Sequence, residues 1–467
     1  MKHVQPDMKT STEASTKRWV LALTSTASFM VSLDALIVTL ALSTIRADLG
    51  ASIEGLEWIV NAYNLSFAVL LMTAAALGDR WGRRRMFLTG LALFVVGSIA
   101  CALSQSVAQL IAARALQGGG SALVMPIAMA LLSAAFGREE RAKALGIFSG
   151  VTGLGLIAGP IVGGAVAQGL AWQWLFWINV PIGVVVLAMI WRRIGESFGP
   201  KAALDLPGLA PVTLSALGIA WGLMRGNKAG WASTEVTIAL AGGLLLIPAF
   251  ILREMRARDP MVPLRFFRSR AFSVGILASF LFYGSLYGVL FFIAQFFQNA
   301  MGYRPLDAGL RVLPWTATLV VFAPLGGVLV NRLGERIVVV AGLLMDAAGL
   351  MYVATIASPD VTYIALVGPL VLAGAGVSLA MPAAQNAVLS AVAPLEIGKA
   401  SGVFNMFRFL GATAGIAANA AIFIANCHGG TAQDFSAGFV AAVSLSTAFA
   451  FLAALTGLFL PARRATR

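Results

Sequence analysis

Fourteen stretches of this 467-residue chain are apolar over the length of a membrane span, and that density of long apolar runs leaves few folds open. A helix rises about 1.5 Å per residue, so about 20 apolar residues cross the roughly 30 Å hydrocarbon core of a bilayer. The runs begin near Trp19, Leu56, Met86, Val107, Ala144, Ala171, Pro207, Glu235, Phe272, Ala308, Ile337, Tyr363, Ser401 and Gly438. Turn residues or charges separate them. None shows the alternation of a barrel strand, and backbone groups in lipid must find partners within their own segment, so each run reads as a helix. Composition agrees: 59% of residues are hydrophobic, 11% are charged, and mean hydropathy is +0.86. The expected fold class is an all-α membrane protein with fourteen transmembrane helices.

The order of the helices is constrained by an internal repeat. GDRWGRRR at Gly78 to Arg85 returns as VNRLGER at Val330 to Arg336. GGGSALVMP at Gly118 to Pro126 returns as GAGVSLAMP at Gly374 to Pro382, and KALGIF at Lys143 to Phe148 as KASGVF at Lys399 to Phe404. Matches in the same order in each half imply two six-helix bundles in parallel repeat, the plan of large secondary carriers. The spans starting at Pro207 and Glu235 then form an inserted pair. The resulting division is a disordered lead (1–18), an N-terminal bundle (19–195), the inserted pair (196–254), a basic linker (255–271), a C-terminal bundle (272–460) and a short tail (461–467).

Charge sets the expected orientation. With both termini in the cytoplasm, the outer segments hold only Arg46, Arg225, Lys228 and Arg304 of the 33 Lys and Arg, three Arg lie within spans, and the rest face inward. The formal net charge of +13 is therefore a topology signal. Nucleic-acid binding would instead need a soluble basic face with interleaved aromatics. No signal peptide is evident, because the first apolar run is too long and lacks a small-residue cleavage site. Two cysteines, Cys101 and Cys427, and two histidines, His3 and His428, make neither a disulfide framework nor a metal set. No nucleophile, base and metal converge as an enzyme requires, no ATP-binding fingerprint is present, and no cofactor is expected.

A few residues stand out against this apolar background. Asp34 is an acid within a span, which insertion scales penalise by about 2.5 to 3.5 kcal/mol, so it is expected to face a bundle interior. It lies about 22 Å along the first span and Arg114 about 10 Å below the outer end of the fourth, which brings both to nearly one depth. They can form a proton-binding couple or a structural pair. Asp346 is the other mid-span acid and a further proton-coupling candidate, and Glu57 reads as an interfacial residue beside Trp58. After the second span, Asp79, Arg80, Gly82, Arg83 and Arg84 suit a breakable latch, with Gly82 permitting a tight reversal and Asp79 free to pair with an arginine. In the fifth span Gly146, Gly150, Gly153, Gly155, Gly159, Gly163 and Gly164 with Pro160 allow another helix to approach closely. Tyr283 and Tyr287 lie on one face of the Phe272 span, and Asn64, Gln295, Asn405 and Arg408 are polar groups within spans. These six are candidates for substrate contact, and helix-to-helix hydrogen bonds are the structural alternative for the polar ones.

Four motifs in order carry a resemblance over essentially the whole chain: ALGDRWGRRR after the second span, RALQGGG at Arg114 to Gly120, GLIAGPIVGG at Gly155 to Gly164, and WQWLFWINVPIG at Trp172 to Gly183. The chain resembles the major facilitator superfamily, specifically its fourteen-helix drug:proton antiporter branch. Ala75 and Gln173 depart from the usual motif residues, as do Leu36, Thr39 and Ser43 in the first span, and the last three put the substrate in question. The resemblance implies a proton-coupled multidrug or antibiotic efflux antiporter in a bacterial inner membrane, working as a monomer by alternating access. Its partners would be a small amphiphilic substrate, protons and the lipid bilayer. It also implies that the Asp79 loop holds an outward-facing state, that Gly155, Gly159, Pro160, Gly163 and Gly164 form an antiporter motif, that the Asp346 span is peripheral, and that the Phe272 span lines the cavity. The same fold also serves carriers of lipids, metabolites or symported solutes, and a non-transporting receptor is a further alternative.

Overall fold

A computed structural model describes residues 8–199, 206–257, 260, 262–393 and 396–462. Among these residues every regular element is helical. The N-terminal bundle contains α1 (Met8–Leu49), α2 (Ile53–Trp81), α3 (Arg83–Ala102), α4 (Val107–Ala135) and α5 (Arg138–Gly169), then the short α6 (Trp174–Trp177) and α7 (Asn179–Arg193). Next come α8 (Leu206–Ala229) and α9 (Thr234–Arg256), followed by a 3-10 turn at Leu264–Arg268. The C-terminal bundle contains α10 (Arg270–Asn299), α11 (Pro305–Thr316), α12 (Thr318–Leu333), α13 (Glu335–Ile356), α14 (Tyr363–Leu389), α15 (Ile397–Asn426) and α16 (Ala432–Gly457).

Twelve stretches among the described residues are long and apolar enough to cross a membrane, two fewer than the sequence suggests. In α8 the apolar stretch is only Pro207–Leu223, about 25 Å of helix against a core of about 30 Å. The other run outside the twelve falls on α2, a helix of 29 residues. Two of the twelve stretches are broken helices, Trp174–Arg193 at Ile178 and Pro305–Leu333 at Ala317. The N-terminal lead also differs from expectation, since α1 is already helical from Met8. Residues 1–7 and 463–467 lie outside the described residues.

The repeat is visible in the packing. In the first bundle α1 packs on α5, α3 on α4, and α2 on α4; in the second, α10 packs on α15, α13 on α14, and α12 on α14. Corresponding glycines end corresponding helices: Gly82 (φ 105°) separates α2 from α3, and Gly334 (φ 84°) separates α12 from α13. Both occupy the left-handed region that other residues avoid.

The bundles meet where α2 packs on α15 and α5 on α11, with α1 against α10. The inserted pair breaks this symmetry. Helix α8 rests on both α2 and α15, while α9 packs on α8 and the 3-10 turn and buries little of itself. At the α2–α8 contact the rings of Trp58 and Trp221 lie 5.6 Å apart, and Arg225 joins Glu54 to Glu235.

Candidate functional site

The near face is defined here as the end of the bundles where α1 begins, and the far face as the end where it stops. About two-thirds of the way along α1, Asp34 is fully buried, and the Arg114 guanidinium, 1% exposed, forms an ion pair with its Oδ2. The other carboxylate oxygen accepts from Gln117 Nε2 at 2.8 Å and from Asn179 Nδ2 at 3.1 Å. Arg114 also donates to Gln117 Oε1 (2.7 Å) and to the Ile59 carbonyl (3.3 Å), and its guanidinium carbon lies 4.3 Å from the centre of the Tyr63 ring. Gln117 reaches Ser98 Oγ at 2.9 Å, and Tyr63 donates to Ser121 at 2.9 Å. One carboxylate thus ties α1 to α4 and α7. Removing one partner from a buried charged pair typically costs about 3–5 kcal/mol, which makes the cluster a strong constraint on helix positions.

The expected Asp34–Arg114 pairing is therefore present. Asn179 was not anticipated, because its approach depends on the break at Ile178 that turns the chain between α6 and α7. Tyr63 and Ser98 were also missed, since neither residue type is distinctive in an apolar span. Cys101 lies beside the same cluster, its Sγ 3.7 Å from Gln117 Oε1. The other mid-span acid, Asp346, is fully buried on α13 with neither oxygen hydrogen-bonded, and α13 packs within the C-terminal bundle, away from the Asp34 cluster. Glu57, near the start of α2, is fully buried, and neither of its oxygens has a hydrogen-bond partner.

A cavity opens in the C-terminal bundle, on the side where Leu36 of α1 closes it. Its walls include Leu36 of α1, Tyr283 and Tyr287 of α10, Trp315 of α11, Ser378 of α14 and Arg408 of α15. Three of the six substrate candidates, Tyr283, Tyr287 and Arg408, thus share one cavity. The other three do not line it. Gln295 donates to the Phe291 carbonyl and Asn405 to the Ser401 carbonyl, each one turn back on its own helix, and Asn64 is buried on α2.

The loop after α2 is tied within its own bundle. Asp79 pairs with Arg83 (2.8 Å), whereas Arg80 is exposed. The amides of Arg84 and Arg85 donate to the Glu196 carboxylate at 2.8 and 3.2 Å, so an anion from the chain after α7 caps the start of α3. Gly199 N–H donates to the Asp79 carbonyl, and a side chain at Gly82 would run into Glu196. Asp79, Gly82, Arg83 and Arg84 therefore cluster, with Glu196 as a partner that sequence spacing did not reveal.

Helix α5 joins the two bundles. A Cβ on Gly155 would meet the Phe29 carbonyl at 2.9 Å, on Gly159 the Leu36 side chain at 3.1 Å, and on Gly163 the Ile37 carbonyl at 2.7 Å, all on α1. Gly164 faces the Pro305 carbonyl, and the Pro160 carbonyl faces Gly309 of α11. Gly146, Gly150 and Gly153 have open space where a Cβ would be, so close packing expected of the whole glycine series holds only for its second half. The far face is closed: Gln298 donates to the Leu40 carbonyl (3.0 Å), Asn299 to Ser43 Oγ (3.3 Å), and Leu306 N–H to Gln168 Oε1 (3.2 Å). Among the described residues α5 packs on α11, and α12 packs on α13 and α14.

Two bundles in parallel repeat, joined across the far face, one holding a buried ion pair and the other most of a cavity, are the plan of a multi-pass membrane transporter. The Major Facilitator Superfamily profile matches residues 24–416, and the chain belongs to that superfamily. It is 35% identical over 404 residues to the multidrug resistance protein Stp of Mycobacterium tuberculosis, covering 86% of this chain and 75% of that protein. It is 37% identical over 376 residues to the tetracenomycin C resistance and export protein of Streptomyces glaucescens (80% and 69% covered). It is 36% identical over 417 residues to the cephamycin export protein CmcT of Amycolatopsis lactamdurans (87% and 85%). Among solved structures, a D-xylose-proton symporter superposes with a TM-score of 0.68 at 14% identity, covering 95% of this chain and 98% of that one, a likeness of fold alone.

Proposed function

We propose that this chain exports amphiphilic, antibiotic-like small molecules across the plasma membrane in exchange for protons. The observation that carries the proton half is the Asp34 cluster, a single carboxylate holding donors from two other helices at the centre of the N-terminal bundle. The export half is supported by relatives named for antibiotic resistance and export.

On this reading the chemistry follows from hydrogen-bond counting. Ionised Asp34 accepts from Arg114, Gln117 and Asn179; protonation turns one accepting position into a donor and removes the counter-charge, so those contacts must rearrange. Arg114 has Gln117 Oε1 and the Ile59 carbonyl already at hand as acceptors. The loosened helix, α1, also forms the cavity wall at Leu36 and the seat of the α5 glycines, so proton binding acts on the packing of α5, the helix that meets α11 of the other bundle. One charge moved through 100 mV is worth about 2.3 kcal/mol, enough with a pH difference to drive a useful substrate gradient. We take both termini as cytoplasmic, the near face as cytoplasmic, the state described as inward-facing, α2 and α8 as further spans to make fourteen, and the working unit as a monomer.

The test is transport by purified protein in proteoliposomes with an imposed pH gradient. Wild type should move substrate against the proton flow, while Asp34→Asn, which keeps shape but cannot cycle its charge, should insert normally and lose pH-driven transport. Wild-type pH-driven rates in the Asn variant would remove Asp34 from the coupling role.

A further inference from the structure

Arg408 is the sole charged side chain among the described residues lining the cavity. Its surroundings contrast with those of Arg114. Arg114 is neutralised by Asp34, whereas around Arg408 the groups are aromatic: its guanidinium carbon lies 4.7 Å from the Tyr283 ring centre and 5.3 Å from that of Phe409, and Tyr287 lines the same cavity. Its buried Nε has no hydrogen-bond partner, and among the described residues no carboxylate forms a salt bridge with it. Asp34 cannot serve, because its oxygens are taken by Arg114, Gln117 and Asn179 inside the other bundle. The position also excludes simple snorkelling, since Arg408 is eleven residues into α15, about 16 Å from the helix start, and its head lines the cavity.

An unneutralised guanidinium in an apolar cavity is costly unless something with negative charge shares the space. We propose that the ligand supplies that charge: the cavity is built for amphiphiles with an acidic group, a carboxylate or ionised phenol, on a planar aromatic body, with Arg408 as counter-ion. The planar fork of Arg408 suits a carboxylate, and the Tyr283, Tyr287 and Trp315 rings suit the body. A cationic amphiphile would meet like charge with no acid to offset it. The inference deepens the exporter reading and rests on it only for the direction of movement.

Binding to the purified full-length protein in detergent separates the two, because it needs no gradient. Three probes share one scaffold: 1-pyrenebutyrate, its methyl ester, and a pyrenebutyl trimethylammonium salt, followed by energy transfer from tryptophan to pyrene. The carboxylate should bind at least tenfold more tightly than the ammonium. Arg408→Gln should remove that preference and Arg408→Lys should keep part of it, with Tyr287→Phe as a cavity variant that retains the charge and the preference. Equal or tighter binding of the ammonium, an unchanged preference in Arg408→Gln, or binding of none of the three probes overturns the proposal. Loss of pH-driven transport with the preference intact would count against the exporter reading alone.

Discussion

At the scale of single residues, the molecule treats its buried charges in two ways. Asp34 and Arg114 are bound into a satisfied network, and a double-mutant cycle should therefore show strong non-additivity, with Arg114→Ala impairing transport more than Arg114→Lys. Additive losses would mean that the two groups act separately. Glu57 is the opposite case, a carboxyl group buried with neither oxygen hydrogen-bonded. An amide of the same shape removes the risk of an unpaired charge, so Glu57→Gln should leave thermal unfolding in detergent unchanged or raise the midpoint, while Glu57→Lys should lower it sharply. A midpoint in Glu57→Gln lowered as far as in the Lys variant would show that the acid has a partner after all.

At the scale of elements, the glycines of α5 fall into two groups. Gly155→Val and Gly163→Val press a side chain into the α1 backbone and should each destabilise the bundle by about 1–3 kcal/mol, whereas Gly150→Val points into open space and should not lower the unfolding midpoint. The latch loop can be tested in the same way. Asp79→Asn weakens the pair with Arg83, and its effect on the population of states, read from spin-label distances across the far face, should exceed that of Asn331→Ala at the matching place in the second half, which lacks the acid. Equal shifts would reduce the loop to an anchor. These elements also show how much could be read in advance. Spans and repeat were legible because length, apolarity and recurrence are properties of the chain itself, and the Asp34–Arg114 pair was legible because depth along two helices can be counted. What helix α5 touches was not, since a glycine series does not say where a neighbouring helix diverges. Nor was the partnership of Asn179 with Asp34 or of Glu196 with the α3 start, because both depend on chain breaks that bring distant segments together.

For the whole molecule, the far face is where side-chain hydrogen bonds tie one bundle to the other. Ser43 and Asn299 touch across the far face, so Ser43→Cys with Asn299→Cys should cross-link on oxidation and stop transport, and reductant should restore it. Transport that continues at full rate in the cross-linked protein would mean that the bundles need not part there. The inserted pair has a different significance at this scale. Because α8 lies across the α2–α15 seam, the Trp58–Trp221 contact sits where any relative motion of the bundles is felt. The protein thus carries a built-in optical reporter: its intrinsic fluorescence should change as the seam works, so that turnover can be followed in unlabelled protein and compared with Trp221→Phe as a silent control.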